Sequence, residues 1–264
     1  MGSLCFKGLG IKAFKGKFQI LIKTEGEKMK ETKDKVFILE ETGININNEK
    51  SLHSSIKQWY AVPGDRLEVK VDKYIIDLVR EDSLIEIQTK NFSAIGNKLR
   101  ELVKYNKVML VHPIATEKYI VTMESDEQIV SRRKSPKKGK LMDLFDELVR
   151  IPDLISEENF TLEILMTKEE EIRCKDGKGS WRRKGISIKD RKLVEVVEKV
   201  TFKENKDFLM FLPKELPQNF TNKELAKILK VTVYKARKIT YCFRKMNIIK
   251  EVGKLRNELI FERW

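Results

Sequence analysis

Histidine is nearly absent: His53 and His112 are the only two in 264 residues. Catalysis of the Ser-His-Asp or Cys-His kind therefore has few bases to draw on. Cysteine is also scarce. Cys5, Cys174 and Cys242 are odd in number, far apart and without a CxxC pair, which argues against a disulfide framework or zinc site and fits a reducing cytoplasm. No apolar run approaches the roughly 18 residues that a bilayer span needs. Residues 1–22 scatter Lys and Gly among apolar positions and lack the order of a signal peptide. Internal repeats and low-complexity linkers are missing too.

Charge is abundant. Charged residues make up 36% of the chain and the net charge is +14, so the expected partner is a polyanion, either nucleic acid or an anionic membrane. The membrane is disfavoured because the basic runs lack a strongly amphipathic helix beside them. The hydrophobic share of 41% supports a real core, and the length allows one large domain or a medium and a small one.

Two carboxylates stand out against this background. Residues 74–79 and 84–89 read as β-branched apolar strands around a short polar turn at 80–83. Asp77 and Glu86 lie inside them, where an unpaired carboxylate costs several kcal/mol, roughly. If the strands pair, both carboxylates can converge on one Mg²⁺ or Mn²⁺, an ion suited to hard oxygen ligands and bound water. The plainer reading is that they pair with Arg80, Lys90 or another cation.

Around these strands the pattern predicts a helix from the asparagines at 47 and 48 through Tyr60, a strand over 67–71, a helix from Phe92 to Val103 and a buried strand over 108–112. Residues 1–46 read as a hairpin-like start, with strands at 18–23 and 35–40. Residues 119–123 read as a strand, 141–151 as an amphipathic helix, 160–173 as strand-like in its first half, and 189–199 as a helix. A composition shift near Glu204 opens a last unit: a helix at 208–212, a capping box from Thr221 to Glu224, a helix over 232–246 and a hairpin over 248–261. Helices followed by a hairpin are the winged-helix layout. The expected domains are thus 1–46, 47–203 and 204–264.

Three basic segments follow from the charge pattern. Residues 131–140 hold six basic residues and no acid, including Arg132, Arg133, Lys134, Lys137 and Lys138. Residues 173–192 hold nine basic and two acidic residues, including Arg182, Arg183 and Lys184 beside Trp181. Both read as loops able to approach phosphates, with Trp181 placed to stack on a base or sugar. Residues 221–264 carry twelve basic and four acidic residues. There Tyr234, Lys235, Arg237, Lys238 and Tyr241 are candidates for duplex contact, with Lys254 and Arg256 at the tip of the hairpin. Ile239, Phe243 and Met246 are expected to face the core.

The spacing of Asp77 and Glu86-Ile87-Gln88, within the order helix, three strands, helix, strand, resembles the PD-(D/E)XK nuclease superfamily over residues 47–115. That resemblance implies a restriction-endonuclease-like α/β fold, a mixed sheet flanked by helices. It also implies Mg²⁺- or Mn²⁺-dependent hydrolysis of phosphodiesters. Carried over by position, Asp77 and Glu86 are metal ligands, Glu49 on the first helix is a loose match for a further acid, and His53 can share the site. Gln88 departs from the pattern, standing where the family usually has Lys; it can hydrogen-bond water or phosphate but supplies no charge. Lys90, Lys98 and Arg100 are near enough in sequence to line the groove. The chain also looks like an uncharacterised group of prokaryotic proteins. The expectation is a cytoplasmic DNA nuclease targeted by a winged helix, with RNA as a further substrate class and a homodimer compatible. The competing expectation is a nuclease-like scaffold that binds nucleic acid without cleaving it.

Overall fold

In the computed structural model the described residues are 9–14, 17–22, 51–124 and 128–263. The chain separates into two units, Met1–Ile44 and Asn45–Trp264. In the first, β1 (Leu9–Phe14) pairs antiparallel with β2 (Lys17–Ile22). The strand expected at 18–23 is present, and its partner precedes it. The expected partner at 35–40 and the residues at 24–34 lie outside the described residues.

The second unit is α/β. Helix α1 (Ser51–Tyr60) leads to β3 (Arg66–Val71), β4 (Tyr74–Arg80) and β5 (Ser83–Ile87). Two-residue turns join the strands, since Val71 pairs with Tyr74 and Arg80 with Ser83. Asp72 and Glu81 take the left-handed backbone at the first position of each turn, as tight hairpins require. A 3-10 turn and helix α2 (Gly96–Leu102) follow, then β6 (Lys107–Met123), β7 (Ile129–Lys134), helix α3 (Phe145–Leu148), β8 (Phe160–Cys174) and β9 (Ser187–Phe202). The sheet runs β3-β4-β5-β6-β8-β9. Its pairing is mixed: β5-β6 and β6-β8 are parallel, the rest antiparallel.

Strand β6 is long enough for two neighbours on one edge. Residues 107–111 pair with β5, residues 119–123 pair with β7, and β8 covers the other edge. Between those pairings, residues 112–118 have no strand beside them on that edge among the described residues. Pro113 falls in this stretch, in keeping with the confinement of proline to strand edges.

Several sequence expectations are corrected here. Residues 189–199 are strand, not helix. Leu193, Val194, Val196 and Val197 sit at spacings compatible with either period, and antiparallel pairing with β8 decides for the strand. Residues 131–134 belong to β7 and only 135–140 form a loop. The expected helix at 141–151 is a 3-10 turn (Leu141–Leu144) running into the single turn of α3. The expected helix at 208–212 is a 3-10 helix, Asn205–Phe211. Residues 160–174 are strand throughout.

The C-terminal segment contains β10 (Asn219–Thr221), α4 (Asn222–Leu229), α5 (Val233–Lys245), β11 (Ile249–Leu255) and β12 (Glu258–Arg263), with sheet order β10-β12-β11. The capping box forms: Thr221 N–H donates to Glu224 Oε2 at 2.7 Å, and Glu224 N–H donates to Thr221 Oγ1 at 3.4 Å. Ile239, Phe243 and Met246 are buried. This segment shares its core with the main sheet. Phe145 meets Phe208, Phe211 and Phe243 edge-on, and Phe202 at the end of β9 stacks on Phe208. On the other face of the sheet, Leu52, Ile56 and Tyr60 of α1 pack in a smaller cluster with Leu78, Ile85, Ile87, Val111 and Leu165.

Candidate active site

Strand alternation breaks at Asp77. Ile76 joins the large core, whereas Leu78 joins the small cluster under α1, although residues two apart on a regular strand share a face. The β4-β5 ladder stops there as well. Its last pair toward this end is Leu78 with Ile85, and the same register carried one step further sets Asp77 opposite Glu86. The backbone donors freed by the parting strands turn to the carboxylates. Ile87 N–H donates to Asp77 Oδ2 at 2.8 Å, and the Asp77 N–H faces the Glu86 carboxylate.

Each carboxylate also has a side-chain partner from a helix. Leu52 anchors α1 on the sheet, and the next residue, His53, brings Nε2 to 3.2 Å from Asp77 Oδ2. Lys98 of α2 donates from Nζ to Glu86 Oε1 at 2.5 Å and to Ile75 O at 2.6 Å. Glu86 is 5% exposed. Burial, then the nearby Asp77 charge, pushes its carboxyl up to about 7, with Lys98 pulling the other way. Burial also opposes the charge on Asp77, but His53, the Ile87 N–H and Lys57 outweigh it and hold Asp77 below the usual carboxylate range. The pair thus splits into one carboxylate firmly charged and one poised near neutrality.

Gln88 plays a different part. Its Nε2 donates to the carbonyls of Lys90 and Asn91 at 2.6 and 3.1 Å, closing the turn after β5. The Gln88 carbonyl meets His112 Nδ1 at 2.6 Å. Burial lowers the His112 pKa, so the ring is neutral and donates from Nδ1. Glu49 lies outside the described residues. Arg80, weighed as a neutralising partner, is instead engaged by Asp65 at 2.8–2.9 Å and by the Tyr60 carbonyl. The cation on Glu86 is Lys98.

Asp77 and Glu86 offer hard oxygens on adjoining strands, the donor type of which Mg²⁺ takes one or two while keeping several waters. Among the described residues no group of three His, Cys, Asp or Glu side chains is placed to hold a metal ion.

The predicted basic residues divide by what they touch. Lys90, Arg133, Lys137 and Lys138 are exposed, as are Lys184, Lys254 and Arg256. Trp181 is 84% exposed with the Arg182 guanidinium 5.7 Å from its ring. Arg100 is held by Asp153, Arg132 by Glu170 and Lys134 by Glu117. On α5, Tyr234, Arg237 and Tyr241 are exposed. Lys235 and Lys238 instead turn inward: Lys235 reaches Asp143 at 2.9 Å and Asp146 at 2.5 Å, and Lys238 reaches Asp146 at 2.8 Å. Sequence reasoning missed the buried acids of β8, Glu163, Glu169 and Glu171, the cation Lys118, and the gathering of Lys118 with Arg173 and Arg191 of the basic segment 173–192 around Glu171. Their signal was the run Glu169-Glu170-Glu171 in the second half of a strand read only to its midpoint.

An α/β unit with a mixed sheet and paired carboxylates at its parting strands is the class of protein these features define. The chain belongs to the family described as Domain of unknown function (DUF8091), which matches residues 50–203. It is also similar to a protein of Treponema pallidum (strain Nichols) described as uncharacterised, 34% identical over 184 residues that cover 69% of this chain and 73% of that one. No solved structure matches the chain.

Proposed function

We propose that the protein is a metal-dependent nuclease of restriction-endonuclease-like fold, acting on DNA in the cytoplasm. The observation that carries this reading is the coupling of Asp77 and Glu86 where β4 and β5 part, with Glu86 raised to about 7. Two carboxylates brought this close, one of them buried, raise one another's cost of ionisation, and perturbed carboxyls of this kind cluster at functional sites. A bound Mg²⁺ or Mn²⁺ would polarise the phosphodiester and acidify the attacking water. Asp77, held below the usual carboxylate range, and Glu86, once its proton has passed to solvent, would hold the ion. Lys98, which sits on Glu86, would supply the positive charge that Gln88 cannot. Gln88 keeps the turn after β5 in place.

The segment from β10 to β12 reads as a winged helix that supplies nucleic-acid affinity. With Lys235 and Lys238 spent on α3, its contacts fall to Tyr234, Arg237 and Tyr241, with Lys254 and Arg256 at the hairpin tip. The test is cleavage of plasmid, branched DNA and RNA with Mg²⁺ or Mn²⁺. Asp77→Asn and Glu86→Gln should each lose about 100-fold or more, the size of effect expected when electrostatic stabilisation is removed. Equal cleavage by wild type and both variants rejects the reading.

A second reading has one observation in its favour: Lys98 already neutralises Glu86 at 2.5 Å. A scaffold that only binds nucleic acid would need no more than that pair. It predicts salt-dependent binding unaffected by EDTA and no cleavage under any metal.

A further inference from the structure

A cleft of about 500 Å³ opens where neither β5 nor β7 covers β6. Its floor is the stretch from His112 to Ala115 with Lys118, and Thr89 borders it at the end of the Gln88 turn. The loop after β7 forms one wall. Ser135 N–H donates to the Lys118 carbonyl at 2.7 Å, and Gly139 N–H donates to the Ala115 carbonyl at 2.8 Å. A Cβ at Gly139 would stand 2.5 Å from that carbonyl oxygen, so only glycine lets the loop lie this close. Lys137 is thereby set on the rim.

The cleft is built around charge. Glu171 is buried at 4% exposure, with Arg173 at 2.7 Å and Lys118 and Arg191 each at 3.4 Å. Arg183 and Lys137 complete the cationic lining. The lining also includes Asp143, Asp146 and Glu147. Asp143 and Asp146 are already matched by Lys235 and Lys238, and Glu147 Oε2 accepts the Phe92 N–H at 3.0 Å. Five cations therefore line the cleft against Glu171 and Glu147, and Glu171 fixes three of them in place while neutralising only one.

We propose that this cleft is a binding site for a phosphate monoester, the terminal phosphate of a nucleic-acid strand. A terminal phosphate carries roughly −1.5 to −2 near neutral pH, against −1 for an internal diester, and offers more acceptor oxygens to forked guanidinium groups. That greater charge matches the clustered cations better than an internal diester does. Thr89 and His112 border the cleft, and both adjoin Gln88, two residues beyond Glu86. The site thus places a strand end beside the carboxylate strand. It rests on the nuclease reading for its polymer but not for its phosphate.

Fluorescence anisotropy of the full chain in EDTA separates the two claims, since it needs no cleavage. Labelled ten-nucleotide strands bearing a 5′-phosphate, a 3′-phosphate or hydroxyls at both ends are compared. One phosphorylated form should bind at least tenfold tighter than the hydroxyl form, and inorganic phosphate should compete only for that excess. Lys137→Ala, at an exposed position, and Arg191→Ala should each reduce the preference several-fold. Glu171→Gln, which keeps the shape and removes the counter-charge, should increase it. Equal affinity for all three strands, or a preference unchanged in Glu171→Gln and Lys137→Ala, overturns the proposal whether or not the protein cleaves.

Discussion

Glu86 is the residue on which pH should act most visibly. Its carboxyl is raised from 4.5 to about 7 by burial and by Asp77, so the folded protein holds that proton more tightly than the unfolded chain. The sign follows: the stabilisation from the bound proton is complete below pH 4.5 and is lost as pH rises through about 7. The stability of wild type minus that of Glu86→Gln should fall by ~3 kcal/mol from about pH 4.5 to 8, at about 1.4 kcal/mol per pKa unit. Urea unfolding of both proteins across that range measures it, and a difference that stays flat or grows with pH contradicts the burial of a poised carboxyl. Affinity for a divalent ion should rise over the same window, because only the charged carboxylate is a ligand.

At the scale of elements, Phe145 on the single turn of α3 ties the sheet to the C-terminal segment through Phe208, Phe211 and Phe243. Phe145→Ala should cost about 3–5 kcal/mol, as expected for deleting a fully buried aromatic ring. Circular dichroism and fluorescence should report one coincident transition shifted together. Two separated transitions with only one displaced would mean that residues 204–263 fold on their own. The same element scale shows what the sequence made legible. Strands β3 to β5 and helices α4 and α5 were readable because apolar period, turn residues and the Thr221 capping box agreed. Strand β9 was not, because its valines fit two periods and the arbiter was β8, distant in sequence. The carboxylate pair was legible as an anomaly in two apolar strands. Its setting was not: that Lys98 rather than Arg80 meets Glu86, and that Lys235 and Lys238 turn toward α3, depends on packing between elements far apart in the chain. The cleft around Glu171 was hidden for the same reason, since Lys118, Arg173 and Arg191 come together only when β6, β8 and β9 lie side by side.

Across the whole molecule, the net charge of +14 favours a polyanion, and steering by such a field weakens as salt rises. Residues 45–264 form one unit in which the C-terminal helices share the core of the sheet, so those helices and the carboxylate site are held in fixed relation. Among the described residues no helix is long and apolar enough to cross a membrane. Whether Asp77 and Glu86 share one ion is read by Mn²⁺ titration followed by electron paramagnetic resonance. Near pH 8, wild type should bind Mn²⁺ at a site that Mg²⁺ competes for, and Asp77→Asn and Glu86→Gln should each lose that site. Retention of the site at unchanged affinity in both variants would contradict the account.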